Sequence, residues 1–173
     1  MRALSLWTLR GLGGGAFFVC GRLSMQKVTI VATGKLKERF WKDACAEYLK
    51  RLGAYAQVEV KEIPDSTRER EEPLQLSALQ AAKGAHIILL DIHGKETSSE
   101  GLAGKLEQLA VQGDSHVVFV IGGSDGVGSA VRQMANERMS FGPITMPHNL
   151  ARVVLLEQIY RAYKIIRHEP YHK

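Results

Sequence analysis

Two uninterrupted apolar runs, AHIILLDIHG (85–94) and HVVFVIGG (116–123), constrain this chain most. A strand with one wet face alternates apolar and polar residues. A continuous apolar run closed by turn residues marks a strand buried on both faces. Such strands need helices on both sides, and helical patterns alternate with them. LKERFWKDACAEYLKRLG (36–53) places Phe40, Ala44, Tyr48 and Leu52 every four residues, beside Trp41, Cys45 and Leu49. Gly53 ends it. KVTIVATG (27–34) and QVEVKEIP (57–64) read as strands, the second stopped by Pro64. DSTREREEP (65–73) reads as a charged loop before a helix over 74–83. SSEGLAGKLEQLAVQG (98–113) reads as a helix with a serine cap. Residues 124–139 read as a loop and helix, 140–148 as a short last strand, and a final helix follows. Strands alternating with helices predict an α/β domain with a mostly parallel sheet.

At 173 residues the chain is long enough for one domain with a self-sufficient core. Its two cysteines, Cys20 and Cys45, form no disulfide framework and no zinc spacing, which points to a reducing, cytoplasmic setting. Cys45 falls on the apolar face of its helix and reads as core, not as a nucleophile. The net charge of +5 favours an anionic partner without identifying one. Residues 1–24 carry Arg2, Arg10 and Arg22 and no acid. Arg10 and the glycine run break any secretory signal, and the apolar stretch is far short of the ~20 residues of a membrane span. An organelle transit peptide remains open. The favoured expectation is a segment upstream of the true start, because Met25 directly precedes the first strand. Residues 25–173 contain no linker and no internal repeat.

In open α/β sheets, ligands bind beyond the carboxyl ends of the strands. LLDIHG, VIGGSDG and SFGPITMPH occupy such ends. VIGGSDGVG does not match the dinucleotide fingerprint G-x-G-x-x-G, and it follows a late strand. No phosphate-loop signature is present either. Gly122 and Gly123 offer a bare backbone to a ligand, or simply a tight turn into a helix capped by Ser124 or Asp125. Asp91 and His93 lack partners at metal-ligand spacing. Gly142 and Pro143 impose an irregular backbone with free peptide groups.

The tail, MPHNLARVVLLEQIYRAYKIIRHEPYHK, holds the most chemically capable residues. At about 100° per residue, Leu156, Ile159 and Tyr163 fall within about 40° of Arg152. Arg152 therefore sits in an apolar stripe and needs a carboxylate, a partner subunit or an anionic ligand. Glu157 and Arg161 form an i,i+4 pair on the opposite face. Beyond the helix, Tyr171 can stack on a base, and His172 and Lys173 can meet phosphate or move a proton.

ATGKLKERFWKDACAEYLKRLG, VFVIGGSDG and SFGPITMPHNLARVVLLEQIYRAYKIIRHEPYHK together resemble the large-subunit ribosomal RNA methyltransferase H family, of the SPOUT class. The resemblance runs from Met25 to Lys173, and P-Y-H-K, I-G-G and P-H-x-x-x-R-V carry it jointly. It implies a SPOUT α/β fold with a C-terminal trefoil knot. It also implies S-adenosylmethionine held at Leu90, Gly122 and the segment Phe141, Gly142, Pro143, Ile144, Thr145 and Met146. It further implies a homodimer acting on N3 of a pseudouridine in 23S rRNA of the assembled ribosome, without metal or membrane. That chemistry needs a proton acceptor and a stabilised anion. His148 or His172 can take the proton. Arg152 and Arg161 can hold phosphate or the developing anion, and Arg152, Tyr171 and Lys173 can contact RNA. Two other classes stay in view: a non-catalytic ribosome-associated RNA-binding protein, and a nucleotide-dependent oxidoreductase, which the missing fingerprint disfavours.

Overall fold

The computed structural model describes residues 25–171. The expectations for residues 1–24, His172 and Lys173 lie outside the described residues. In chain order the elements are β1 (Lys27–Thr33), α1 (Arg39–Leu52), β2 (Gln57–Ile63), α2 (Arg68–Ala81), β3 (His86–Glu96), α3 (Ser99–Gln112), β4 (His116–Ile121), α4 (Ser129–Met134), β5 (Glu137–Ser140) and α5 (His148–Ile166). The sheet has the order β2-β1-β4-β3-β5. Its described strand pairs are all parallel.

The two apolar runs form β4, buried from Val117 to Ile121, and β3, buried only over Ile87–Leu89, with Ile92 exposed. Their alternating side chains feed two cores, as the period of a strand requires. Ile30, Ile88, Val117 and Phe119 join the core under α1, α3 and α5. Val31, Leu89, Val118 and Val120 join the core on the other face, with Leu79 of α2 and Val131 of α4. Cys45 is buried as expected, and burial pushes its thiol pKa up, away from the reactive thiolate. Ser98 caps α3 by accepting from the Gly101 N–H at 3.0 Å. No helix among the described residues is long and apolar enough to cross a membrane.

Four local expectations are corrected. The helix expected over 74–83 begins at Arg68, so the charged stretch is helical. Glu69 and Glu71 lie in its first turn, where the helix dipole favours acids. The last strand is Glu137–Ser140, not 140–148; Gly142 sits at φ 106, and Pro143 and Pro147 keep 141–147 out of the ladder. Helix α4 is capped neither by Ser124 nor by Asp125: Gly128 is the N-cap residue, and Glu72 of α2 accepts from the Ala130 N–H at 2.7 Å. Phe40 is 61% exposed rather than part of the buried stripe of α1. It lies at the overhanging first turn, its ring 4.8 Å from that of Trp41.

The apolar stripe of α5, for whose Arg152 a partner subunit was one option, needs no second chain. It is covered within the chain. Arg152, Leu155, Leu156, Ile159, Ala162 and Tyr163 are all buried in the core shared with α1 and α3.

Candidate active site

A cleft of about 850 Å³ opens at the carboxyl ends of β3 and β4. Its walls come from 89–93, from the turn 121–127, and from 139–148 with Ala151. Of the expected cofactor residues, Leu90, Gly122, Phe141, Gly142, Ile144, Thr145 and Met146 line it; Pro143 does not.

Each wall has a local cause. Strand β3 leaves its register between Leu90 and Lys95, so Asp91–Gly94 bulges out at the cleft. Gly94 is required there, because a Cβ would lie 2.8 Å from the Arg138 and Met139 backbone. After β4 the chain folds tightly, bridging Gly123 to Gly126. Helix α2 braces this turn from outside. Arg68 donates to the Asp125 carbonyl, and Glu72 holds the start of α4. A Cβ on Gly122 would meet the Gly126 carbonyl carbon at 2.9 Å. The bare backbone of Gly122 therefore serves the turn itself.

His148 is the first residue of α5 and lines the cleft. Its ring lies against Gly34, where an added Cβ would be 2.4 Å from Nε2. Gly34 has φ +89, a conformation that glycine adopts without strain. One turn along α5, Arg152 is 1% exposed. Its Nη2 donates to the Gly34 carbonyl and its Nη1 to Glu62 Oε1, both at 2.6 Å. Of the three partners expected for Arg152, the chain itself supplies the carboxylate. Arg152 is absent from the cleft lining; it fixes the Gly34 turn that backs His148.

Arg161 and Tyr171 sit elsewhere. Glu157 Oε1 accepts from Arg161 Nε and Nη2 at 3.0 and 2.7 Å, and from the Tyr171 hydroxyl at 3.2 Å. The Arg161 guanidinium lies 4.4 Å from the Tyr171 ring centre, and the Tyr160 ring meets Tyr171 edge-on at 5.0 Å. This pair is half-buried rather than a surface ornament, with Arg161 and Glu157 side chains 26% and 17% exposed. Burial, then the Glu157 charge, pushes the Tyr171 phenol up to about 12. The phenol is thus held protonated, as a donor and not a base. Glu169 pins the segment before it, pairing with Lys164 and accepting from the Tyr55 hydroxyl, both at 2.6 Å. Thirteen residues of α5 separate His148 from Arg161, about 20 Å at 1.5 Å per residue.

Asp91 and His93 both line the cleft. Sequence reasoning missed Arg132, which lines it too, and Gly34, Glu62 and Glu72, which shape it. Glu62 lies 90 positions from Arg152, so no local spacing could pair them.

A family model described as "Predicted SPOUT methyltransferase" matches residues 26–172. The chain is 48% identical over 157 residues to a ribosomal RNA large subunit methyltransferase H from Listeria monocytogenes serotype 4a (strain HCC23), covering 84% of this chain and 99% of that protein. A solved probable methylase family protein from Haemophilus influenzae Rd KW20 matches at 13% identity and TM-score 0.50, over 87% of this chain and 71% of that one. The SpoU methyltransferase AviRb from Streptomyces viridochromogenes, solved with AdoMet, matches at 10% identity and TM-score 0.43, over 85% and 62%. The similarity to the Haemophilus protein is one of fold.

Proposed function

Because the chain belongs to the SPOUT methyltransferase family, we propose that it transfers a methyl group from S-adenosylmethionine to N3 of a pseudouridine in 23S rRNA of the assembled ribosome. The observation that carries the reading is the cleft, walled by irregular backbone at the carboxyl edge of a parallel sheet. Its volume lies within the roughly 300–1,000 Å³ of small-molecule sites. Segment 141–147 lies outside every strand and helix, and with the 121–127 turn it offers main-chain groups that suit a nucleoside. Leu90, Gly122, Phe141, Gly142 and Ile144–Met146 would hold the cofactor there. When bound, the cofactor supplies a methyl group on a sulfonium.

The remaining work falls to the protein. N3 of pseudouridine is an imide nitrogen that becomes nucleophilic as its proton leaves. Transfer would form an N–C bond as the methyl–sulfur bond breaks, its electron pair staying on a departing thioether, while the N–H bond breaks and the proton passes to a base. We assign that base to His148, whose ring the Gly34 turn orients at the cleft wall. Arg161 neutralises the developing uracil anion or a phosphate beside it, with Tyr171, His172 and Lys173 contributing to RNA contact. Arg152 orients His148 from behind, through the Gly34 turn.

His148 and Arg161 are too far apart in one chain to serve one base. A homodimer that sets the tail of one chain over the cleft of the other brings them together, and we take the dimer to be the active form. The cytoplasm is its expected setting.

The test is incubation of ribosomes lacking the modification with the full chain and methyl-labelled S-adenosylmethionine, followed by mass spectrometry of the rRNA. Label on one pseudouridine is expected. Tight rRNA binding without transfer would instead favour a non-catalytic RNA-binding role.

A further inference from the structure

The cleft mouth carries two arginines to which the reaction proposed above gives no role. Arg132 on α4 and Arg138 on β5 both reach Asp91 Oδ2, from their Nη1 atoms at 3.3 and 3.7 Å. The Asp91 side chain is only 7% exposed, against 43% and 49% for the two arginines. Asp91 Oδ1 accepts from the His93 N–H at 3.0 Å, which fixes the carboxylate as a tether. Arg132 Nε also donates to the Val127 carbonyl at 3.4 Å.

One carboxylate cannot satisfy this pair. Each guanidinium carries five N–H donors, and a carboxylate has about four acceptor positions. Both contacts are also longer than the ~2.7–2.9 Å of a full charge-assisted bond. The group therefore holds surplus positive charge and spare donors in two planar forks, the geometry suited to phosphate oxygens. Arg132 lines the cleft, whereas Arg138 lies beyond its lining, so the cationic lip runs from the cleft outward. A carboxylate on a cofactor inside the cleft would meet Arg132 alone. A strand with repeated phosphates meets both. Ile92 and Ile144 line the same cleft and are 53% and 68% exposed, apolar surface that a base or ribose can cover.

We infer that Arg132 and Arg138, tied by Asp91, bind phosphodiester groups of the RNA strand that delivers the target base. The inference rests on the RNA-methyltransferase reading. The test uses full-length Arg132→Gln, Arg138→Gln and the double variant, with Lys83→Gln as control. Lys83 is exposed and precedes β3, at the sheet edge opposite the cleft. Three readouts are needed: calorimetric titration with S-adenosylmethionine, binding to unmodified ribosomes at several salt concentrations, and methyl transfer. Each single variant should weaken ribosome binding several-fold and reduce the slope of log affinity against log salt by about 0.7–0.9. Arg138→Gln should leave cofactor affinity unchanged, and Lys83→Gln should change nothing. Matched thermal midpoints exclude unfolding; if Arg132→Gln does not fold, Arg138→Gln carries the test.

A double variant with wild-type ribosome affinity and salt slope overturns the inference. So does a loss confined to cofactor affinity in Arg132→Gln with Arg138→Gln silent, which would assign the lip to the cofactor's carboxylate. A wild-type chain that methylates no ribosome overturns the reaction, and this inference with it. An active wild type with indistinguishable arginine variants overturns the inference alone.

Discussion

Arg152 gives up its hydration, and Glu62 with the Gly34 carbonyl replaces part of it, leaving Nε buried without a partner. Glu62→Gln leaves a buried guanidinium facing a neutral amide. Because the Glu62 side chain is 35% exposed, the cost in chemical denaturation should be about 1–3 kcal/mol. Glu62→Leu combined with Arg152→Met should be more stable than Glu62→Gln, because an apolar pair leaves no stranded charge. Equal stability of the two would mean the ion pair has little weight. Gly34→Ala probes the same unit from the other side. It forces a side chain into φ +89 and against the His148 ring, so methyl transfer should fall far more than cofactor affinity. Helical periodicity was enough to place Arg152 on an apolar stripe and to demand a partner for it. The partner's identity was not legible, since it depends on which strand lies beside β1, a property of the sheet and not of any sequence window.

At the scale of elements, α2 shows why charge alone misleads. Its first turns read as a loop because they are polar and contain Pro73, yet their side chains serve the neighbouring turn. Glu72 caps α4 across space, so Glu72→Ala, which removes the acceptor, should cost about 1 kcal/mol and loosen the 122–128 turn. Weaker S-adenosylmethionine binding by calorimetry is the expected readout. Gly122→Val is not a clean probe of the cofactor: its side chain would strike Gly126, so the thermal midpoint and cofactor binding should fall together. Strand β4 adds a pH dependence. Burial, then Lys27, lowers the His116 pKa below its ordinary 6.5. As pH falls below about 6.5 the unfolded chain takes up the proton first, so it binds more protons and stability declines. Denaturation at pH 7.5 and 5.5 should show that decline, and His116→Gln should reduce it. The apolar runs made β3 and β4 readable as strands, but not the burial of β1, which is buried from Val28 to Thr33 while β3 is buried only over Ile87–Leu89. Strand β5 was not readable, because Glu137–Ser140 falls where the sequence reads as the end of a helix, while Gly142 and Pro143 keep the segment after it out of the ladder.

At the scale of the whole molecule, the described domain closes on itself from its first residues. Gln26 Nε2 donates to the Leu106 carbonyl at 3.1 Å, and Gln26 accepts from the Tyr163 hydroxyl at 3.0 Å. A chain beginning at Met25 keeps these bonds and should match the full chain in thermal midpoint and methyl transfer. Among the described residues, Arg161 and Tyr171 lie away from the cleft lining. Helix α5 places His148 at the cleft and Arg161 with Tyr171 about 20 Å away. The apolar stripe of α5 gives no reason for a dimer, since α1 and α3 cover it. The length of the helix is the better reason, and it predicts a complementation result. His148→Ala and Arg161→Ala chains, each inactive alone, should regain activity when unfolded together and refolded. Random pairing makes half the dimers mixed, and each mixed dimer carries one intact site of two, so activity should return to about a quarter of wild type. The readout is methyl transfer per dimer, with the oligomeric state followed by light scattering. If both residues served a site within one chain, every site in the mixture would stay damaged and no activity would return.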